Sequence, residues 1–335
     1  MFPIRMPRFL IAAALLAGAT FAQAAPATLL NASYDVAREF YKDINPAFVA
    51  YYKKKTGQSI AVEQSHGGSS AQARAVADGL DADVVTMNTT TDIDFLVGRG
   101  VVAKDWRVRF PDGAAPTTST ILFLVRHGNP KGIKDWSDLI RPDVKVIVVN
   151  PKTGGNGRMA YLAAWGQVRA RGGSDAQAAD YVRKLYRNVP VLARGGRDAT
   201  GIFLQRGMGD VLITFESEVM SINREFGAGQ VDVVYPSSSI VAENPVAVVE
   251  RTVAKKGTAA QAKAYLDFLY TPEAQEIAAH HYIRPRDPAV LREHADVFKP
   301  IKLFTVEQYF GSMAQAQQTH FVDGGKFDQI YTGAR

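Results

Sequence analysis

Four short stretches carry the residues best suited to chemistry. They are Asn31-Ala32-Ser33-Tyr34-Asp35, Gln64-Ser65-His66-Gly67-Gly68-Ser69-Ser70, Asn150-Pro151-Lys152-Thr153-Gly154-Gly155-Asn156-Gly157-Arg158 and Arg194-Gly195-Gly196-Arg197-Asp198-Ala199-Thr200. Each lies between an apolar, β-branched run and a helical pattern, so each reads as a strand–turn–helix junction. The first N–H groups of a helix lack an intrahelical partner. Together with the positive end of the helix dipole they form an anion site. Glycine there lets the backbone take unusual conformations and approach a ligand closely. A single turn of this kind also serves ordinary capping. Four of them, with ligands in α/β sheets binding beyond the carboxyl ends of strands, point to a small anion held in a cleft.

Other chemistries find little support. The chain has no cysteine, which excludes disulfides, thiol nucleophiles and cysteine-ligated metals. Its six histidines are His66, His127, His280, His281, His294 and His320. Only 280 and 281 are close in sequence, and adjacent helical residues do not face one way. No H-E-x-x-H, G-x-S-x-G or Walker-A loop occurs. No enzyme activity, resident metal or cofactor is therefore expected, and hydrolysis of sulfate or phosphate esters is a distant alternative.

The elements that must position the turns alternate strand and helix, as in α/β folds. The expected strands are 27–31, 59–64, 83–88, 120–126, 144–150, 211–215, 231–235 and 246–249. The expected helices are 35–55, 70–78, 157–171, 198–205 and 259–270. In the first of these, Phe40, Ile44, Phe48 and Tyr52 recur every four residues before Thr56-Gly57 closes it. Beyond about Thr258 the pattern is nearly all helical, punctuated by Pro272, Pro285, Pro288 and Pro300.

Residues 1–24 read as an export signal: Arg5 and Arg8, an apolar run from Phe9 to Ala17, and Ala22-Gln23-Ala24 as the cleavage site, with cut after Ala24 or Ala25. Its loss removes two arginines and no acids, taking the formal charge from +6 to +4. That excess is too small to indicate nucleic acid, and Lys53-Lys54-Lys55 reads as a solvated helix end. With 47% hydrophobic residues the chain buries a core easily, and at its length of 335 residues two lobes are expected.

At this point the sequence resembles the periplasmic sulfate- and thiosulfate-binding proteins of ATP-driven (ABC-type) importers. The most specific stretches are Gln64–Ser70 within Val62–Asp83, and Asn150–Gly166. Gly209–Val219 and Leu29–Asp35 add to them. The resemblance implies a two-lobed periplasmic-binding-protein fold of type II. Each lobe is then a mixed, mostly parallel sheet flanked by helices, with the ligand between the lobes. The pattern along the chain itself places lobe 1 over 25–115 and 246–335, lobe 2 over 116–245, and the crossing strands near 116–126 and 242–249.

The resemblance also implies a dehydrated sulfate or thiosulfate held by neutral donors. Carried onto this chain, these are the amide of Asp35, the hydroxyl or amide of Ser69, the amides of Gly155 and Asn156, and the amide of Gly196, with Phe215 as an apolar wall. Gly68, Thr153, Arg158 and Arg197 stand behind them, the arginines pairing with carboxylates or turn carbonyls. Charge-assisted N–H bonds of this kind are short and strong enough to replace a hydration shell. The implied partners are the permease subunits of an ABC importer in the inner membrane. The protein itself is expected to be a periplasmic monomer.

Two departures bear on the ligand. Sulfate binders often carry serine where Gly154 stands and tryptophan where Phe215 stands, and each would add a side-chain donor. Residues 215–219 look more like the thiosulfate-binding branch, whereas Tyr282–Asp287 and Phe304–Gly311 look more like the sulfate-binding branch. Both anions are expected to bind. Phosphate is the alternative ligand, since protonated phosphate needs an acceptor, and Asp35 and Asp198 stand near the turns.

Overall fold

The structure is a computed structural model that describes residues 27–226 and 229–332. The expected export signal lies outside the described residues. Two sheets organise the chain. The first runs in the order Val246–Val248, Val84–Thr86, Ala27–Tyr34, Ile60–Gly67. Ala27–Tyr34 is parallel to both of its neighbours, and Val246–Val248 pairs antiparallel at one edge. The second runs Leu192–Ala193, Val146–Val149, Val211–Phe215, Ile121–Arg126, Val231–Val234. Its first two pairings are parallel, and both pairings of Ile121–Arg126 are antiparallel. The fold is therefore a two-lobed, mixed α/β architecture.

The continuous apolar runs of the second sheet follow from burial on both faces. Ile121, Phe123 and Val125 face one core with Val146, Val148 and Ile213. Leu122 and Leu124 face the other with Ile147, Val149 and Leu212. This is the period of two that pleating imposes. The first lobe instead packs helix Arg38–Thr56 through Phe40, Tyr41, Ile44, Phe48 and Tyr52, and Gly57 ends it in the left-handed region at φ 73°.

Between the sheets, Thr117–Ser119 pairs antiparallel with Ala242–Asn244 on one side and with Arg284–Pro285 on the other. The chain leaves the first sheet through Thr117–Ser119 into Ile121–Arg126. It comes back through Ala242–Asn244 into Val246–Val248. Helices Thr90–Gly98, Asp175–Arg187 and Glu216–Phe226 add to those expected. The second of them starts with a capping box between Ser174 and Gln177, a signal legible in the sequence. Among the described residues no helix is long and apolar enough to cross a membrane.

The C-terminal segment departs from the expected division. Residues 246–335 were expected on the first lobe, but Lys302–Phe304 pairs parallel with Ser238–Ile240. Phe304, Phe321, Phe327 and Ile330 then join the core of Tyr161 and Trp165. The cause lies in helix Gly155–Ala170, which is buried along most of its length and needs cover on the side away from the sheet. At Gly166 an added Cβ would overlap the Phe304 ring, so the glycine is what lets the tail lie close.

That packing buries His320, whose Nδ1 lies 3.0 Å from the Tyr161 hydroxyl and whose ring meets Trp165 edge-on. Burial, with Lys326 adding to it, lowers the His320 pKa to about 4. A group whose folded pKa lies below its unfolded value of roughly 6.5 stabilises the fold above that value. The stabilisation is lost as pH falls toward the folded pKa. We expect thermal stability to drop between pH 6.5 and 4, and His320→Phe to blunt that drop in a pH series of melting curves. An unchanged pH slope in the variant would assign the effect to other groups.

Candidate functional site

The parallel registers place the turns side by side. Ser33 lies opposite His66 and Tyr34 opposite Gly67, so the turns at Asp35 and Gly68 leave one sheet edge together. Ser33 also faces Thr86, which brings Asn88 to the same edge. In the second lobe Val149 lies opposite Ala193, and Val146–Val149 runs parallel to Val211–Phe215. The turns after residues 149, 193 and 215 thus share one end of that sheet, as ligand sites of α/β sheets do.

Asp35 opens a 3-10 turn, Asp35–Ala37, and the α-helix is capped at Ala37 without a side-chain bond. The helix expected from residue 35 thus begins as this extra turn, with the α-helix starting at Arg38. Ser69 begins helix Ser69–Ala77. Its hydroxyl donates to Asp92 Oδ2 at 2.5 Å and accepts from the Asn88 amide at 3.2 Å. The hydroxyl is thus engaged by the protein, and the amide remains as the donor Ser69 offers. Gly68 is the cap, its carbonyl accepting from Ala71 and Gln72.

Gly155 and Asn156 begin helix Gly155–Ala170 behind the cap Gly154. A Cβ on Gly155 would stand 3.1 Å from Asn88 Oδ1, so this turn of the second lobe faces Asn88 of the first. The Asn156 Nδ2 donates to Thr214 Oγ1 at 2.7 Å and to Glu218 Oε2 at 3.0 Å. Gly196 begins helix Gly196–Thr200, and a Cβ on it would lie 2.7 Å from Glu218 Oε1. The Asn88 and Asn156 Oδ1 atoms are buried with no hydrogen-bond partner. Buried polar atoms of this kind call for an explanation.

Thr153 donates to the carbonyls of Asn150 and Arg194, tying the two turns of the second lobe together. Arg158 is half-buried, and its buried Nε has no hydrogen-bond partner. Burial lowers its pKa, and the charge of Asp92 in the first lobe opposes that shift. Arg197 is exposed and lines a cavity of ≈ 750 Å³ together with Tyr34, Phe40, Gly196, Glu218 and His281. It therefore reaches the cleft itself rather than standing behind its turn.

Phe215 closes strand Val211–Phe215, is 7% exposed and packs in the second lobe's core. Like Ser69, Gly155 and Asn156, it does not line that cavity. Gly154 has its own constraint: a Cβ there would lie 2.9 Å from Val149 Cγ1, so a serine at this position needs Val149 to move.

Two residues escaped the sequence reading. Asn88 was seen only as the end of a strand, and Glu218 only as part of a stretch carrying the resemblance. Glu218 comes into the site because helix Glu216–Phe226 starts directly after the strand, which sets its third residue over the neighbouring turns. A site of donors alone was expected, and the Glu218 carboxylate lies beside these turns, accepting from Asn156. Asp198, the other candidate acceptor, is engaged by the Arg194 amide at 2.9 Å.

Comparison with known proteins fits this geometry. The family model for bacterial extracellular solute-binding proteins matches residues 29–284. A thiosulfate-binding protein of Pseudomonas aeruginosa is 54% identical over 330 residues, 98% of this chain and 99% of that protein. A sulfate-binding protein of Escherichia coli is 50% identical, covering 94% and 96%. Among solved structures, the sulfate-binding protein of Mycobacterium tuberculosis superposes with a TM-score of 0.78 at 34% identity, covering 88% of this chain and all of that one. The chain belongs to the bacterial extracellular solute-binding proteins.

Proposed function

We propose that this protein captures sulfate or thiosulfate in the cleft between its lobes and delivers it to the permease of an ABC importer. The observation that carries the reading is the meeting of the turns from both lobes. Ser69 reaches Asn88, Asn88 faces Gly155, and Asn156 reaches Glu218, which lies against Gly196. Amides at the starts of helices Ser69–Ala77, Gly155–Ala170 and Gly196–Thr200, with that of Asp35, supply the donors. Their partial positive charge is favourable to a dianion. The names of the relatives support the choice of anion. A cleaved leader over residues 1–24, periplasmic residence and a monomeric state complete the proposal, with binding and no catalysis as its role.

Mechanistically, the anion enters the open cleft and is gripped by amides of one lobe, then of the other. Closure about the crossing strands is driven by the extra contacts of the closed form. Asp92 sits at the join: it holds the Ser69 and Ser70 hydroxyls and attracts Arg158 of the opposite lobe.

Phosphate is a second reading with one observation in its favour, the Glu218 carboxylate, which could accept the proton that phosphate carries near neutrality. Isothermal titration of the mature chain from residue 25 separates the two. One sulfate or thiosulfate per chain with silent phosphate is expected. Gly196→Ala, whose Cβ would press on Glu218, should weaken that binding by about tenfold, or 1.4 kcal/mol. Tight phosphate binding that collapses in Glu218→Gln, or no heat from any anion, would overturn the proposal.

A further inference from the structure

We propose that Glu276, His280 and His294 form a binding site for a first-row transition-metal ion, zinc foremost, distinct from the anion cleft. None of the three lines the cleft cavity. Their ligand atoms all lie within 4.8 Å of one another. The sequence hid the cluster, because histidines 280 and 281 point different ways and His294 is far along the chain. His281 turns to Asp43, whereas His280 joins Glu276 one helical turn earlier.

The geometry suits a metal. His294 Nε2 lies 2.6 Å from Glu276 Oε1, and His280 Nε2 lies 3.4 Å from that same oxygen. The two imidazoles meet edge to face at 5.3 Å between centroids. Zinc–nitrogen and zinc–oxygen bonds of roughly 2.0–2.2 Å set tetrahedral ligand atoms about 3.4 Å apart. The trio needs only a modest adjustment to reach that spacing, with His294 and Glu276 opening from 2.6 Å and His280 already 3.4 Å from the shared oxygen. The side chain of His280 is 68% exposed and free to make it, while that of His294 is 17% exposed and held in place.

The scaffold is firm. Ala279, Val290 and Phe298 form a small apolar cluster joining helix Pro272–His280 to helix Pro288–Glu293. The His294 amide donates to the Val290 carbonyl, and its own carbonyl accepts from Val297 and Phe298. Glu276 and His280 therefore come from one helix and His294 from the end of the next, so a bound ion would staple the two.

Ligand chemistry selects the ion. Two imidazoles and one carboxylate suit zinc, nickel or copper. Calcium and magnesium prefer all-oxygen shells and find only one carboxylate here. Three protein ligands leave a fourth position for water or for a donor from another molecule.

The test uses the mature chain without a histidine tag, titrated with zinc chloride in a non-chelating buffer. One zinc per chain is expected, with a rise in melting temperature and, for cobalt, the visible absorption of a tetrahedral site. His280→Ala, at an exposed position, should weaken zinc binding at least tenfold, and Glu276→Gln should do so independently. Sulfate and thiosulfate titrations on the same samples report that each variant is folded, and they read the cleft separately. Absence of zinc binding, zinc binding unchanged in both variants, or equal binding of calcium would each overturn the proposal.

Discussion

Arg284→Ala is expected to lower the stability of this protein by about 3–5 kcal/mol, the cost of stranding one member of a buried ion pair. Its guanidinium grips Glu216 with Nε to Oε2 at 2.9 Å and a second nitrogen to Oε1 at 2.6 Å. The Glu216 side chain is fully buried and that of Arg284 only 9% exposed. Burial raises the Glu216 pKa and Arg284 counters it, so without the arginine the carboxyl would have to bind a proton or draw in water. Arg284 also lies over the Phe298 ring at 5.2 Å.

The location enlarges the effect. Glu216 follows the last residue of a second-lobe strand, and Arg284 pairs with Thr118 in the strands that cross between lobes. Replacing both, as Glu216→Leu with Arg284→Met, should recover most of the loss, because an apolar pair of similar volume leaves no charge unpaired. Chemical denaturation of the two single variants and the double variant measures this directly. A single variant within 1 kcal/mol of wild type, on the order of experimental scatter, would mean that water already solvates the pair.

Gly157→Ala should be the second severe change, costing about 1–3 kcal/mol in stability by overpacking and removing most of the anion affinity. An added Cβ would overlap the Val149 carbonyl oxygen and lie 2.8 Å from Asn150 C and Pro151 N. All of these are main-chain atoms, so no rotamer change relieves the contact. The turn from Asn150 must open, and it carries the Gly155 and Asn156 amides away from the opposite lobe. Gly68→Ala is the matched control: its φ is −56°, and nothing lies within 4 Å of the added carbon. Melting temperature and anion titration on both should separate them. Equal behaviour of the two would show that the Asn150 turn is more compliant than its packing suggests.

Much of this was legible beforehand, for identifiable reasons. The eight expected strands all occur, because runs such as Ile121–Val125 and Val146–Val149 are short, continuous and apolar. The turns were legible because glycine and small polar residues mark the places where a strand hands over to a helix. Less visible were relations across long sequence distances. Asn88 becomes part of the site only through its facing of Gly155, and Glu218 only through Asn156 and Gly196. Phe215 was placed at the ligand by the resemblance, at a position where sulfate binders carry tryptophan, and in the fold it packs in the core with Val211 and Ile213. The tail was misplaced because its apolar residues say that it packs but not on which lobe.

The placement of residues 302–332 has a consequence for the order of events during biogenesis. Strand Ser238–Ile240 pairs with Lys302–Phe304, and Phe321, Phe327 and Tyr331 of the tail pack their rings against Tyr161 and Tyr186. A ribosome that has made everything up to the return crossing has therefore not yet supplied the lid of the middle lobe. Contacts so distant along the chain form slowly.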